Sequence, residues 1–314
     1  MTSNLRSLLH ADASIKGVSP RPAHLIVFDS GVGGLNVLKT LWSAQLGCPI
    51  SFFADSAWMP YGEKDPQQLR ERLLRVVGTL LTRHDENSYI LFACNTASAV
   101  WESITPDVFA QHGIRPDRVI DILRPTLSLL MRQVIARLDA DQHQARVGLL
   151  ATPLTVQSGV YPRLAERLYG HGAYPQLTWQ PVACGGLAQA VEGDTEVEPV
   201  DVLLHRYACG FKKAPPEALI IGCTHYLGLK HLLRHYMPDT LFIDPSEALV
   251  LVIAERLGIK YELQALRGTS AEGKEPVRLL ATGQVDTLRA YLKQYLPALT
   301  FQPFEILAFE SKSI

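Results

Sequence analysis

The sequence predicts an α/β protein made of two pseudo-symmetric open-sheet domains with a cleft between them. Three observations carry that reading. Short apolar runs alternate with amphipathic segments along the chain, as strands buried on both faces by helices require. Two of these runs stop abruptly at thiol-bearing turns: residues 89–93 before Cys94-Asn95-Thr96, and 219–222 before Cys223-Thr224-His225. The layout also repeats, a strand ending in a polar turn (Asp29, then Thr152) preceding a strand ending in a thiol (Cys94, then Cys223). Ligands bind at the carboxyl ends of strands in open α/β sheets, so two facing lobes would set both thiols against one substrate.

In order, residues 24–28 form the first strand, and Asp29-Ser30-Gly31-Val32-Gly33-Gly34 turns into a helix over 35–46. Asn36 stands where a dinucleotide fingerprint needs a small residue, and no Gly-Lys-Ser/Thr follows, so the turn is not read as a nucleotide loop. It presents Asp29 and Ser30 at a strand tip, with helix N-terminal amides suited to a carboxylate. A second strand (50–54) leads to a loop marked by Pro60 and Gly62, from which Tyr61 would project a hydroxyl. Residues 66–83 form a helix with Leu69, Leu73, Val76, Val77 and Leu80 on one face and its arginines on the solvated face. After Cys94 come a helix (97–111), a strand (119–122) and a helix (125–138). The second half runs through a strand (146–151) ending at Thr152-Pro153-Leu154-Thr155, a helix (161–169), a strand (177–183) ending at Cys184-Gly185-Gly186, a short helix (187–191) delivering Glu192, and a helix (197–211). Beyond Cys223 lie a helix (227–236), a strand (241–243), a helix (246–257) with Ser246 as cap, a polar loop (261–275), a strand (277–281) and a helix (285–295).

Composition narrows the function. The 314 residues, 47% of them hydrophobic, suffice for a full core and favour two domains. A net charge of −1 without a lysine or arginine run argues against nucleic acid or a membrane surface as partner. Cys48, Cys94, Cys184, Cys209 and Cys223 are odd in number, widely spaced and lack a CxxC pair, which fits a reducing cytoplasm. Residues 1–22 read as a tail without a signal peptide's apolar stretch, and no run is long enough to span a membrane.

Inverting a carbon that bears a hydrogen needs a base on one face and an acid on the other. Cysteine can serve as either, and a carboxylate or imidazole can orient or take up the proton. Asp29 is the natural partner of Cys94, while His225 and Glu192 fit Cys223. Asn95, Thr96, Thr155 and Thr224 supply neutral hydrogen bonds suited to a carboxylate and an amino group. Cys48, Cys184 and Cys209 read as core residues. A metal site is disfavoured: His231 and His235 lie one helical turn apart on a polar face, without a second cysteine near Cys223.

These residues fall in motifs that resemble glutamate racemases of the cofactor-independent aspartate/glutamate racemase superfamily. The motifs are FDSGVGGLNVL (28–38), ADSAWMPYGEK (54–64), ACNTAS (93–98), GLLATPLTV (148–156), VEGD (191–194), GCTHY (222–226) and LLATGQVDTLRAYL (279–292). The resemblance implies interconversion of L- and D-glutamate, supplying D-glutamate for peptidoglycan, in the cytoplasm and without pyridoxal phosphate or metal. It implies Cys94 and Cys223 as the acid/base thiols, assisted by Asp29, Glu192 and His225. Substrate would be held by Asp29, Ser30, Tyr61, Gly62, Asn95, Thr96, Thr155, Thr224 and His225. It implies a first domain over 23–117 and 246–314 and a second over 118–245, and leaves room for a homodimer. Gly185 and Leu227 stand where family members often carry proline, and Gly185 would loosen the loop that delivers Glu192. Two alternatives stay open: a racemase of aspartate or another amino acid, and a non-catalytic regulatory protein on the same scaffold. A single-thiol hydrolase would leave one thiol without a task.

Overall fold

Strand β1 (His24–Asp29) is an apolar run buried from its second residue on, and it pairs in parallel with β2 (Ile50–Ala54) and β3 (Ser88–Phe92). In the computed structural model, which describes residues 23–137, 144–170, 175–259, 276–283 and 285–308, these strands form the middle of the first sheet. β4 (Val119–Ile120) pairs with β3. The second sheet holds β5 (Gln144–Ala151), β6 (Gln176–Ala183), β7 (Ala218–Gly222) and β8 (Leu241–Ile243). β9 (Arg278–Ala281) and β10 (Glu305–Ile306) then return to the first sheet beside β2. The orders are β10-β9-β2-β1-β3-β4 and β6-β5-β7-β8, with every pairing parallel.

Strand for strand, β2-β1-β3-β4 and β6-β5-β7-β8 are one arrangement, so the duplication read from the turns is a duplication of topology. Val119 and Ile120, just past the expected second-domain start at 118, pair with β3 in the first sheet. The expected tail (1–22) and loop (261–275) lie outside the described residues.

The helices form where apolar spacing and caps place them, with instructive exceptions. Pro66–Arg83 buries all five expected apolar residues, and Asp65 caps it by accepting the Gln67 and Gln68 amides at 3.0 Å. Its arginines are not all solvated, since Arg72 is buried against Asp55. The helix expected over 97–111 divides into Asn95–Trp101 and Pro106–Gln111, because Pro106 cannot continue a helix but readily starts one. The helix expected from Ser246 is Pro245–Arg256, and its cap is Asp244, which accepts the Ser246 amide at 3.0 Å. Helices Gly34–Ala44, Leu123–Ile135 and Pro245–Arg256 pack together and join residues of both sheets into one apolar cluster. That shared core sets the carboxyl ends of the two sheets against each other.

Candidate active site

The segments after β1, β2, β3, β5, β6 and β7 converge on one narrow cleft. Cys94 and Cys223, one from each sheet, both line it.

Cys94 follows β3 and occupies the cap position of Asn95–Trp101, where its sulfur accepts the Ala97 amide at 3.5 Å. Ser30, at the neighbouring tip of β1, brings its hydroxyl within 3.9 Å of that sulfur. Burial, reinforced by the Asp29 carboxylate, pushes the Cys94 thiol up, so at neutral pH it holds its proton. Asp29 lies behind this pair and is itself fully buried. Its Oδ1 accepts the Gly31 amide at 3.0 Å and its Oδ2 the Thr224 hydroxyl at 3.1 Å. Burial raises the Asp29 carboxyl from 3.8 to about 6, against the restraint of nearby His225 and of these two donors.

Cys223 has a different set of partners. Its sulfur lies 3.6 Å from His225 Nδ1, and His225 Nε2 lies 2.6 Å from Glu192 Oε1. Burial alone would lower the pKa of His225, but the sulfur and the carboxylate on its two nitrogens outweigh it and hold the pKa well above the ordinary value. Glu192 reaches His225 from the end of Leu187–Val191. Gly185 does not loosen this loop: Tyr226 donates to the Cys184 carbonyl at 3.0 Å and Tyr207 to the Gly185 carbonyl at 2.7 Å.

The glycine-rich turn after β1 also serves the other sheet. The Val32 amide donates to Glu192 Oε1 at 3.1 Å, so the carboxylate at this helix N-terminus is the protein's own. A Cβ at Gly31 would fall on Glu192, and one at Gly33 on Thr224 and His225. The turn therefore makes a close approach between the two halves of the chain.

Other expected residues divide between the cleft wall and its backing. Ser30, Tyr61, Gly62, Asn95, Thr96 and Thr224 line the cleft, whereas Asp29, Thr155 and Glu192 lie behind it. The Tyr61 hydroxyl does not project freely from its loop. It donates to Asp55 Oδ2 at 2.6 Å, and Asp55 is held by Arg72 through both oxygens, at 2.6 and 2.9 Å, and by the Thr282 hydroxyl at 2.9 Å. Burial and this carboxylate push the Tyr61 phenol well above its usual range. The Thr96 hydroxyl meets those of Thr152 and Thr155 at 2.9 and 3.1 Å, tying the two sheets together at the cleft floor. Asn95 Oδ1 accepts the Tyr161 hydroxyl at 2.6 Å, while its buried Nδ2 has no partner among the described residues. That leaves one amide donor in the cleft wall for a bound acceptor.

Thr152 and Cys184 also line the cleft, although the sequence marked Thr152 only as a strand end and Cys184 as core. Their positions just past the ends of the paired strands β5 and β6 were the available signal. Cys209 is half-buried on its helix rather than in the core, with its sulfur 3.5 Å from His205 Nε2. His231 and His235 are exposed. Among the described residues no helix is long and apolar enough to cross a membrane.

No protein-family model matches the chain. It is 30% identical over 275 residues to a glutamate racemase of Desulforudis audaxviator, covering 86% of this chain and 92% of that one. It is 32% identical over 264 residues to a glutamate racemase of Thermus thermophilus, covering 84% and 89%. The crystal structure of glutamate racemase from Francisella tularensis in complex with D-glutamate superposes with a TM-score of 0.69 at 26% identity, over 92% of this chain and 97% of that one. With this similarity spanning both sheets and the cleft between them, the chain belongs to the glutamate racemase family and is an amino-acid racemase.

Proposed function

We propose that this protein interconverts L- and D-glutamate by a cofactor-independent two-base mechanism, with Cys94 and Cys223 on opposite faces of the α-carbon. The observation that carries the reading is the pair of thiols at equivalent strand ends of two related sheets, both lining one cleft. One sulfur, as thiolate, takes the α-proton. The other, as thiol, gives its proton to the opposite face, and the two have then exchanged states, ready for the reverse direction. The protonated Cys94 thiol suits the donor role when Cys223 is the base. Asp29, with its pKa near neutrality, is placed to pass a proton to or from the Cys94 side. Glu192 and His225 form the corresponding relay on the Cys223 side. The free Asn95 Nδ2 suits an acceptor such as the substrate's carboxylate.

The two sheets are read as the cores of two domains, the first built from both ends of the chain and the second from its middle. In the cell the product would feed peptidoglycan synthesis in the cytoplasm.

The test is proton NMR of L-glutamate in heavy water with purified protein and no added cofactor, followed alongside chiral analysis. Loss of the α-proton signal with formation of D-glutamate is expected, and Cys94→Ala and Cys223→Ala are each expected to abolish it. Full racemisation by either variant would sink the two-base reading. Exchange with aspartate but not glutamate would reassign the substrate.

A further inference from the structure

Asn36 lies outside the cleft, as the third residue of Gly34–Ala44, and has no part in the proton chemistry described above. Its Nδ2 donates to the Thr224 carbonyl at 3.0 Å, across from one half of the chain to the other. Its Oδ1 accepts the phenol of Tyr291 at 3.4 Å, from helix Val285–Tyr295 near the chain's end. Thr224 lies between Cys223 and His225 along the chain, and its hydroxyl donates to Asp29. The residue that links the two is thus held by the first half of the chain at both its side chain and its carbonyl.

We infer that Asn36, backed by Tyr291, is a positioning residue that sets the Cys223–His225 geometry and so tunes proton transfer chiefly on the Cys223 face. The inference rests on the two-thiol reading. On the Cys94 side the ties across the cleft run through Asn95 and Thr96 to Tyr161, Thr152 and Thr155, and none of them reaches Asn36 or Tyr291. A tether worth an ordinary neutral hydrogen bond corresponds to a fall in kcat of about fivefold when removed, with KM nearly unchanged because substrate is not touched.

The discriminating variant is Asn36→Asp. It keeps the shape and places an acid in the first turn of a helix, where acids are favoured, yet it presents an acceptor to the Thr224 carbonyl. Enantiomers have equal free energy, so kcat/KM must fall equally in both directions whatever the cause. The primary isotope effects need not. With α-deuterated L- and D-glutamate, slowing only the Cys223 step raises the effect in the direction where Cys223 removes the α-hydrogen. It lowers the effect in the opposite direction, where Cys223 delivers a solvent proton. Tyr291→Phe should give the same asymmetry in weaker form. A folded Asn36→Asp protein whose isotope effects match those of the unsubstituted enzyme in both directions overturns the inference. A parallel run of the unsubstituted enzyme in heavy water separates the two readings: early solvent label must enter product and not recovered substrate. Label in both overturns the two-thiol reading and this inference with it, whereas correct labelling with unchanged isotope effects overturns only the role of Asn36.

Discussion

Replacing Glu192 by glutamine isolates the charge that Glu192 places on His225. The amide oxygen can still accept from His225 Nε2 and from the Val32 amide, so the shape of the contact survives and only the negative charge goes. A hydrogen bond to a charged group contributes about 1.5–3 kcal/mol and a neutral one about 0.5–1.5 kcal/mol. The loss of roughly 1.4 kcal/mol lowers the His225 pKa by about one unit. His225 is held above its ordinary value, so the stability it confers is fully present below 6.5 and is lost as pH rises through its folded pKa. Glu192→Gln should therefore be most destabilised relative to the unsubstituted protein at acid pH, with the gap closing at alkaline pH. In the racemisation assay, followed by circular dichroism, the alkaline limb of kcat should move down by about one pH unit, with a loss of up to roughly tenfold confined to the alkaline side of that limb. Urea unfolding at two pH values supplies the stability half. An unmoved alkaline limb, or a stability gap that widens with pH, would refute the claim that Glu192 acts through the charge on His225.

Asp29→Asn should trade activity for stability. A carboxyl raised from 3.8 to about 6 confers stability that is present below 3.8 and lost as pH rises through 6, so ionised Asp29 costs the fold on the order of 3 kcal/mol at neutral pH. The amide removes that cost, and urea unfolding above pH 6 should show a more stable but much slower enzyme; equal stability at all pH values would count against the burial argument. Arg72→Leu leaves the Asp55 carboxylate buried with only Tyr61 and Thr282 to satisfy it, and should lower unfolding free energy by about 3–5 kcal/mol. A loss below about 1 kcal/mol, the range of exposed pairs, would show that the pair is not held out of water.

Much of the candidate site was legible because it sits at strand ends, where an apolar run breaks into a thiol or carboxylate. Asp29, Cys94 and Cys223 all announce themselves in that way, and His225 follows from its distance to Cys223 along the chain. Arg72 was not legible. Along Pro66–Arg83 it reads like any other arginine beside an apolar stripe, and what buries it is Asp55, at the end of a strand that becomes its neighbour only after folding. Tyr61 fails for the same reason, since its loop says nothing of the carboxylate waiting for the hydroxyl. The glycine turn was read as presenting amides to a carboxylate, and the groups packed against it, Glu192, Thr224 and His225, come from a long way along the chain.

The duplicated scaffold does not duplicate the chemistry. Where β1 ends in Asp29, the equivalent β5 ends before Thr152. Where Cys94 is held by a helix amide and a hydroxyl, Cys223 is held by an imidazole with a carboxylate behind it. On the proposed mechanism, the two faces of the substrate would meet one thiol kept protonated by burial and one beside an imidazole–carboxylate pair. Each set also leans on the other sheet: Thr224 donates to Asp29, and the Val32 amide holds Glu192. A substitution at either relay must then disturb both thiols to some degree, directly through the chemistry of one and indirectly through the packing of the other. The equal energies of the two enantiomers hide this inequality from steady-state kcat/KM. It becomes visible only in measurements that resolve the two proton transfers, which is why isotope effects in both directions are more informative for this site than rates alone.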